Sequence, residues 1–172
     1  MLGASLHAAV RAHAPAAGER CGELIAKISG VLFETTTLER FATVFHAVYD
    51  ASTRMLTYAN AGHSPPMLIR QCVCTRLDSL TAPVGMLPAL PAAQNSLAAL
   101  LGDWLLIFSD GIPEGSDENE DEFGDSKLLD ALECSRSGTA AEVCKSIIDE
   151  ALHHARGQRQ SDDLSPIVAK VL

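Results

Sequence analysis

The stretch LLGDWLLIFSDGIPEG, residues 100–115, decides how this chain is expected to fold. Its centre, WLLIF from Trp104 to Phe108, is an apolar run of the length of a buried strand. Asp110 and Gly111 follow where that strand ends. A carboxylate beside a glycine, which lets backbone or ligand approach closely, can hold a metal ion at a sheet edge. Asp-Gly is also an ordinary turn dipeptide, so both interpretations stay open.

Further strands are predicted on both sides of this run. FATVFHAVY, residues 41–49, is apolar on both alternating faces, which predicts a strand buried on both sides. Residues 54–58 follow a short polar turn as its hairpin partner, and residues 65–77 form a second predicted hairpin. The chain closes on a strand over residues 164–171, where Pro166 is acceptable only near the start or at an edge.

Helices are predicted before and after these strands. Apolar residues spaced by three and four predict two helices before Thr35, with Cys21 on a core face rather than acting as a nucleophile. Thr139 and Glu142 form a capping box that opens a later helix, and residues 127–133 form a shorter one. The order α-α-β-β-β-β-β-α-α-β lacks strict β-α alternation, so an α+β sandwich in one domain is expected.

Two other segments carry candidate site residues. Asp162 and Asp163 precede the last strand, and adjacent carboxylates are tolerated either in open solvent or against a cation. NAGHSPP, residues 60–66, is a small-residue turn between strands. His63 could bind phosphate or transfer protons there, or it could be a structural histidine that hydrogen-bonds the turn.

The acidic run over residues 117–125 resembles the start of a calcium-binding loop, but the spacing of its residues does not match such a loop throughout. Asp117, Asn119 and Asp121 copy the start of an EF-hand loop, but Glu122 stands where glycine is needed and Leu128 where the bidentate glutamate belongs. A solvated, mobile loop is therefore predicted. His153 and His154, neighbours near a helix end, favour an interaction with the helix dipole over metal binding.

Charge, cysteine content and the length of apolar stretches argue against several classes of partner and site. A formal charge of −9 and a pI near 5.0 argue against nucleic acid or anionic lipid as partners. Five scattered cysteines without C-x-x-C spacing suggest neither a disulfide framework nor a zinc site, which fits a reducing cytoplasm. No signal peptide is recognised, and no apolar stretch reaches the length of a membrane-spanning helix.

Taken in order, six segments resemble the SpoIIE-like, PP2C-related bacterial phosphatases: FATVFHAVYD, NAGHSPP, APVGMLP, LLGDWLLIFSDGIPEG, FGDSKLL and SDDLSPIVAKV. The resemblance implies a four-layer α/β/β/α sandwich of mainly antiparallel sheets, in which strand-edge aspartates hold two Mn²⁺ or Mg²⁺ ions. It places Asp110 and Asp162 as catalytic metal ligands, with Asp163 as a further ligand. Residues that shape the site would be Asn60, Gly62, His63 and Gly111.

The resemblance also implies an activity and a partner. Metal-activated water would hydrolyse phosphoserine or phosphothreonine on a cytoplasmic regulatory protein of the anti-sigma-factor antagonist type, which places the chain in signal transduction. The alternative is a catalytically inactive pseudo-phosphatase that serves as a binding module in sigma-factor or stress regulation.

The sequence departs from the family at its start. The family also supplies aspartates from a G-D element and a D-V-x-G-x-G element before the opening helix, and neither occurs here. Residues 1–172 are therefore expected to form a partial, N-terminally truncated domain with an underliganded binuclear site. Unpaired sheet edges left by missing strands would favour a homodimer.

Overall fold

The computed structural model describes residues 2–35, 41–156 and 162–172. Within them the chain forms helices and antiparallel strands, which confirms the α+β class. The elements in chain order are α1 Leu2–Ala17, α2 Cys21–Thr35, β1 Val44–Asp50, β2 Met55–Ala61, β3 Met67–Arg70, β4 Val73–Arg76, β5 Asn95–Ala98, β6 Trp104–Phe108, α3 Gly124–Ser135, α4 Ala140–Ala155 and β7 Pro166–Lys170.

The chain divides into two compact units. The first comprises Met1–Pro65 and Leu77–Leu100, and the second comprises Pro66–Arg76 and Leu101–Leu172. In the described part of the chain no helix is long and apolar enough to cross a membrane.

The first unit is built on a three-stranded antiparallel sheet in the order β1-β2-β5. Helix α2 covers it with a continuous apolar face, and α1 packs its partly buried residues against the same core. Cys21 lies fully buried on that face, as predicted for a core cysteine. The α2 residues in this core are Cys21, Leu24, Ile25, Ile28 and Leu32.

The prediction that the first strand is buried on both sides is wrong. Residues of β1 are half-buried or exposed, whereas β2 is buried from Leu56 to Ala61. The two strands differ in burial because of their positions in the sheet. Strand β2 is hydrogen-bonded to a strand on each side, whereas β1 is hydrogen-bonded, among the described residues, only to β2. Strand β5 was not predicted, since its short sequence NSLA is largely exposed and has no apolar alternation.

The second unit contains a four-stranded antiparallel sheet in the order β4-β3-β6-β7. Strand β6 is central, and its buried side chains Trp104, Leu106 and Phe108 meet the apolar faces of α3 and α4. Pro166 is the first residue of β7, which lies at a sheet edge, as the missing N–H of proline requires. At the other end of β7, the Lys170 ammonium lies 4.7 Å from the Trp104 ring centroid.

The predicted capping box at the start of α4 is confirmed. The Thr139 hydroxyl accepts a hydrogen bond from the Glu142 backbone N–H at 3.3 Å, and the Thr139 N–H donates to the Glu142 carboxylate at 2.7 Å. Hydrogen bonds from the backbone and side chain of Thr139 lower the pKa of Glu142 below its usual value. The charged form of Glu142 is therefore the one that caps the helix.

A Thr139→Ala variant is expected to lower the free energy of unfolding by about 1 kcal/mol, because the first turn of α4 loses its side-chain acceptor. Chemical denaturation at neutral pH measures the difference from the parent. That difference should shrink as the pH falls through the lowered pKa of Glu142, since protonation removes from the parent alone the bond that the Thr139 hydroxyl donates to the Glu142 carboxylate at 3.0 Å. An unchanged difference at low pH would contradict a reciprocal cap.

Candidate metal centre and the adjoining turns

Ser109, directly after β6, joins the end of that strand to the residues before β7. Its hydroxyl donates to the carbonyl oxygen of Asp163 at 2.6 Å and accepts from the N–H of Ser165 at 3.0 Å. Its own N–H donates to the Ser165 carbonyl oxygen at 3.2 Å. This role of Ser109 was not predicted, although the residue stands immediately before Asp110 in the sequence.

Gly111 lies against the two acidic residues that precede β7. A Cβ atom at this position would stand 2.6 Å from the carbonyl oxygen of Asp163 and 3.1 Å from the Cβ of Asp162. Glycine is therefore required by a close backbone approach, and any side chain would push the two segments apart. Asp110, the neighbour of Gly111 in the chain, lies at the same end of the sheet as Asp162 and Asp163, because β6 ends where β7 begins.

All three aspartates are solvent-exposed. Asp110 accepts a hydrogen bond from the Gly111 N–H at 3.1 Å, and Asp162 accepts one from the Asp163 N–H at 2.7 Å. No ion pair with a basic side chain is found for any of them among the described residues. Each carboxylate thus keeps oxygen lone pairs that the protein itself does not occupy.

The carboxylates of Asp110, Asp162 and Asp163 are the type of ligand that a divalent metal ion takes, but they are too few to form a complete site. Mg²⁺ and related hard cations take carboxylate oxygen ligands, which is the donor set present. Within residues 2–35, 41–156 and 162–172, however, no group of three or more histidine, cysteine, aspartate or glutamate side chains is arranged to hold a metal ion. The described residues therefore offer suitable donor atoms but no group of that size.

Asn60 and His63 belong to the first unit, where Asn60 organises its own turn. Its buried amide donates to the carbonyl oxygens of Leu77 at 2.9 Å and His63 at 3.1 Å. Its side-chain oxygen accepts from the His63 N–H at 2.9 Å. These three bonds give Asn60 a clear structural task, which is to shape the backbone that follows β2.

Gly62 takes a positive φ of +73° in the same turn, a conformation that favours glycine. A Cβ atom there would also meet the Pro83 ring at 2.6 Å. His63 is half-buried, with its ring centroid 6.3 Å from that of Phe45. Its Nδ1 lies 2.7 Å from the carbonyl oxygen of Ser64, so Nδ1 carries the proton and the neutral ring presents Nε2 as an acceptor.

The acidic loop is exposed from Glu118 to Glu122, as predicted, whereas Phe123 is buried, and hydrogen bonds define its conformation. The Phe123 N–H donates to the Gly115 carbonyl at 2.8 Å and the Asp117 N–H to the Asp121 carbonyl at 3.1 Å. The Asp117 carboxylate accepts the N–H groups of Asn119 and Asp121, and these bonds, chiefly the first, lower its pKa. These hydrogen bonds within the turn occupy the carboxylate that would bind calcium in an EF-hand.

Residues at the end of α4 contact this loop through hydrogen bonds and a ring contact. His154 Nε2 donates to the Asp121 carbonyl oxygen at 2.8 Å, and the His154 ring lies with its centroid 5.7 Å from that of Phe123. Arg156 donates to the Glu118 carboxylate at 3.0 Å. Only an interaction with the helix dipole was predicted for His154, because its contact with the loop depends on tertiary structure.

Solved structures identify the class of fold. The chain aligns over its whole length with the SiaA-PP2C domain of Pseudomonas aeruginosa, covering 68% of that chain with a TM-score of 0.81 and 12% identity. It also aligns over 99% of its length with the catalytic domain of the serine/threonine protein phosphatase PstP in complex with two manganese ions, covering 80% of that chain with a TM-score of 0.73 and 17% identity. The fold is that of PP2C-type phosphatase domains.

The sequence then gives the family. Residues 1–172 match the family described as Stage II sporulation protein E (SpoIIE), and the chain belongs to that family. This confirms the resemblance to SpoIIE-like, PP2C-related phosphatases.

Among curated relatives, Protein IcfG of Synechocystis sp. is 32% identical over 128 residues, which is 74% of this chain and 20% of that protein. Phosphoserine phosphatase RsbU of Bacillus subtilis is 28% identical over 80% of this chain and 42% of that protein. The matches thus span less than half the length of either relative.

Proposed function

We propose that this chain forms part of a metal-dependent phosphatase that removes phosphate from phosphoserine or phosphothreonine on a regulatory protein. The observation that carries the proposal is the close approach of Gly111 to Asp162 and Asp163, which brings the exposed residue Asp110 to the same end of the sheet as those two exposed aspartates. Family membership and a relative named as a phosphoserine phosphatase support the reaction type.

In this proposal Asp110 and Asp162 hold Mn²⁺ or Mg²⁺, and Asp163 is an additional ligand. Such ions supply a water of lowered pKa and neutralise phosphoryl oxygens. Gly111 keeps the two acidic segments close, while Ser109 ties them together through the Asp163 carbonyl. Asn60, Gly62 and His63 are proposed to shape the site through the turn that they form after β2.

The proposed substrate is a phosphoprotein of the anti-sigma-factor antagonist type, acting in the cytoplasm. Among the structural neighbours are the RsbU and RsbW domains of Rv1364c from Mycobacterium tuberculosis, aligned over 98% of this chain with a TM-score of 0.72. The formal charge of −9 makes a nucleic acid an unsuitable partner. Five free thiols suit a reducing compartment.

A second candidate is a pseudo-phosphatase that binds the regulatory protein without hydrolysis. It is favoured by one observation, that no group of three or more potential metal ligands is found among the described residues. Metal-dependent hydrolysis of p-nitrophenyl phosphate, compared between the parent and Asp110→Asn, separates the two candidates.

We further propose that the chain forms a homodimer. Strand β1 is paired on one side only among the described residues, and Ile167 on the edge strand β7 is 62% exposed. Unpaired strand edges with apolar side chains are templates for association. Size-exclusion chromatography with light scattering is expected to give twice the monomer mass of 18.2 kDa. A monomer at micromolar concentration would refute the dimer.

A further inference from the structure

A groove of about 390 Å³ lies between α3 and α4 in the second unit. Lys127, near the start of α3, has its Nζ 3.3 Å from Nδ1 of His154, near the end of α4. The two helices, joined by residues 136–139, therefore run antiparallel. This arrangement orders the groove lining into a cationic end, an acidic middle and a small neutral end.

The cationic end contains Lys127 and Arg156, with His153 and His154 beside them in the lining, in a protein whose formal charge is −9. The Lys127 ammonium has the Glu122 carbonyl oxygen at 3.3 Å and the His154 ring as neighbours, and no carboxylate among the described residues. Arg156 pairs with Glu118, but both side chains are more than half exposed. Such a pair contributes little, so a competing anion can replace Glu118.

The acidic middle consists of Asp130 and Glu150. Asp130 lies one turn beyond Lys127 on α3, and Glu150 one turn before His153 on α4. In the part of the chain that the structure describes, neither forms an ion pair. Each helix thus presents a carboxylate about 5 Å, one helical turn, from a basic side chain.

The rest of the lining is apolar or small. Phe123 and Ala131 are buried and belong to the core beneath α3 and α4. Cys134 and Ser146 line the neutral end, where the groove lining, among the described residues, has no charged side chain. A ligand therefore finds opposite charges a short distance apart beside an apolar surface, within the volume of about 300–1,000 Å³ usual for small-molecule sites.

We propose that this groove binds a small zwitterion of the α-amino acid class. Its carboxylate lies between Lys127 and Arg156, its ammonium group faces Asp130 and Glu150, and its side chain covers Ala131. A simple carboxylate would meet the repulsion of the acidic middle, and a simple amine that of the cationic end, so a molecule with both charges fits best. The proposal does not depend on phosphatase activity.

Thermal shift with each of the twenty amino acids tests whether any binds. At about 10 mM, a ligand with a Kd of about 1 mM stabilises the folded state by roughly 1.4 kcal/mol, which is measurable. We expect at least one to raise the melting temperature. Failure of all twenty would overturn the proposal.

Matched analogues then test the need for both charges. If phenylalanine is a ligand, 3-phenylpropanoate lacks its ammonium group and 2-phenylethylamine lacks its carboxylate; other ligands are compared with their own deaminated and decarboxylated analogues. Isothermal titration calorimetry should show each analogue binding at least about tenfold more weakly. Equal binding by either analogue would contradict the zwitterion.

Substitutions of groove residues test whether the ligand binds between α3 and α4. Lys127→Met and Asp130→Asn should each weaken binding by about tenfold or more. Lys145→Met and Asp149→Asn are the matched controls, because this exposed α4 pair lies outside the groove lining. Loss of binding in the controls, or none in the groove variants, would overturn the location. Bound ligand should also slow iodoacetamide alkylation of Cys134 while exposed Cys72 and Cys74 react unchanged.

Discussion

An Asp110→Asn variant is expected to lose Mn²⁺-dependent hydrolysis of p-nitrophenyl phosphate by roughly a hundredfold or more. Asparagine keeps the shape of the side chain and its ability to accept from the Gly111 N–H, but it removes the negative charge offered to a cation. A metal ion contributes several kcal/mol to phosphoryl transfer, and each 1.36 kcal/mol corresponds to a factor of ten in rate. Initial rates over a range of Mn²⁺ concentrations measure the loss.

Asp149→Asn is the matched control, since it makes the same change at an exposed carboxylate paired with Lys145 on α4. It should retain the parental rate. Equal loss in both variants would point to a general effect of charge, and an active Asp110→Asn variant would remove Asp110 from the metal shell. If the folded parent shows no metal-dependent activity, the binding-module candidate replaces the enzyme.

Replacing Gly22 by alanine is expected to destabilise the first unit by about 1–3 kcal/mol, which corresponds to a fall in melting temperature of several degrees. A Cβ atom at Gly22 would stand 2.6 Å from the carbonyl carbon of Ala92 and 2.8 Å from the carbonyl oxygen of Ala93. These are backbone atoms, so no side-chain rotation relieves the contact. The segment must move away from α2, which strains the bond from the Gly22 N–H to Gln94.

Gly30→Ala provides a control on the same helix with the opposite expected sign. Nothing lies within 4 Å of a Cβ atom at Gly30, so alanine there should raise the free energy of unfolding by about 0.5–1 kcal/mol through helix propensity. Thermal denaturation of both variants measures the two shifts. A stabilising effect of Gly22→Ala would show that α2 and residues 92–93 are not in this contact.

Much of the second unit could be predicted because its signals are local. The apolar run that became β6, the capping box at Thr139 and the aspartates beside strand ends are each visible within a few residues. Element order and α+β class follow from such signals. The family resemblance rested on the order of motifs, which a single sequence also displays.

The remaining features depend on partners far apart in sequence. The half-buried state of β1 is set by its place in the sheet, which the apolar composition of FATVFHAVY cannot show. The contact between Gly111 and Asp163 depends on the pairing of β6 with β7. Asp103 is buried because Arg70, on another strand, donates to it at 2.7 Å. The fixed shape of the acidic loop likewise depends on His154.

The division of the chain into two discontinuous units has a consequence for synthesis. Strands β3 and β4 belong to the second unit, yet 24 residues of the first, Leu77–Leu100, are made before β6 can pair with β3. During that interval on the ribosome, Met67 and Ile69, buried in the finished protein, have no core to enter. The Met67–Arg76 hairpin therefore exposes these apolar side chains until β6 has been made.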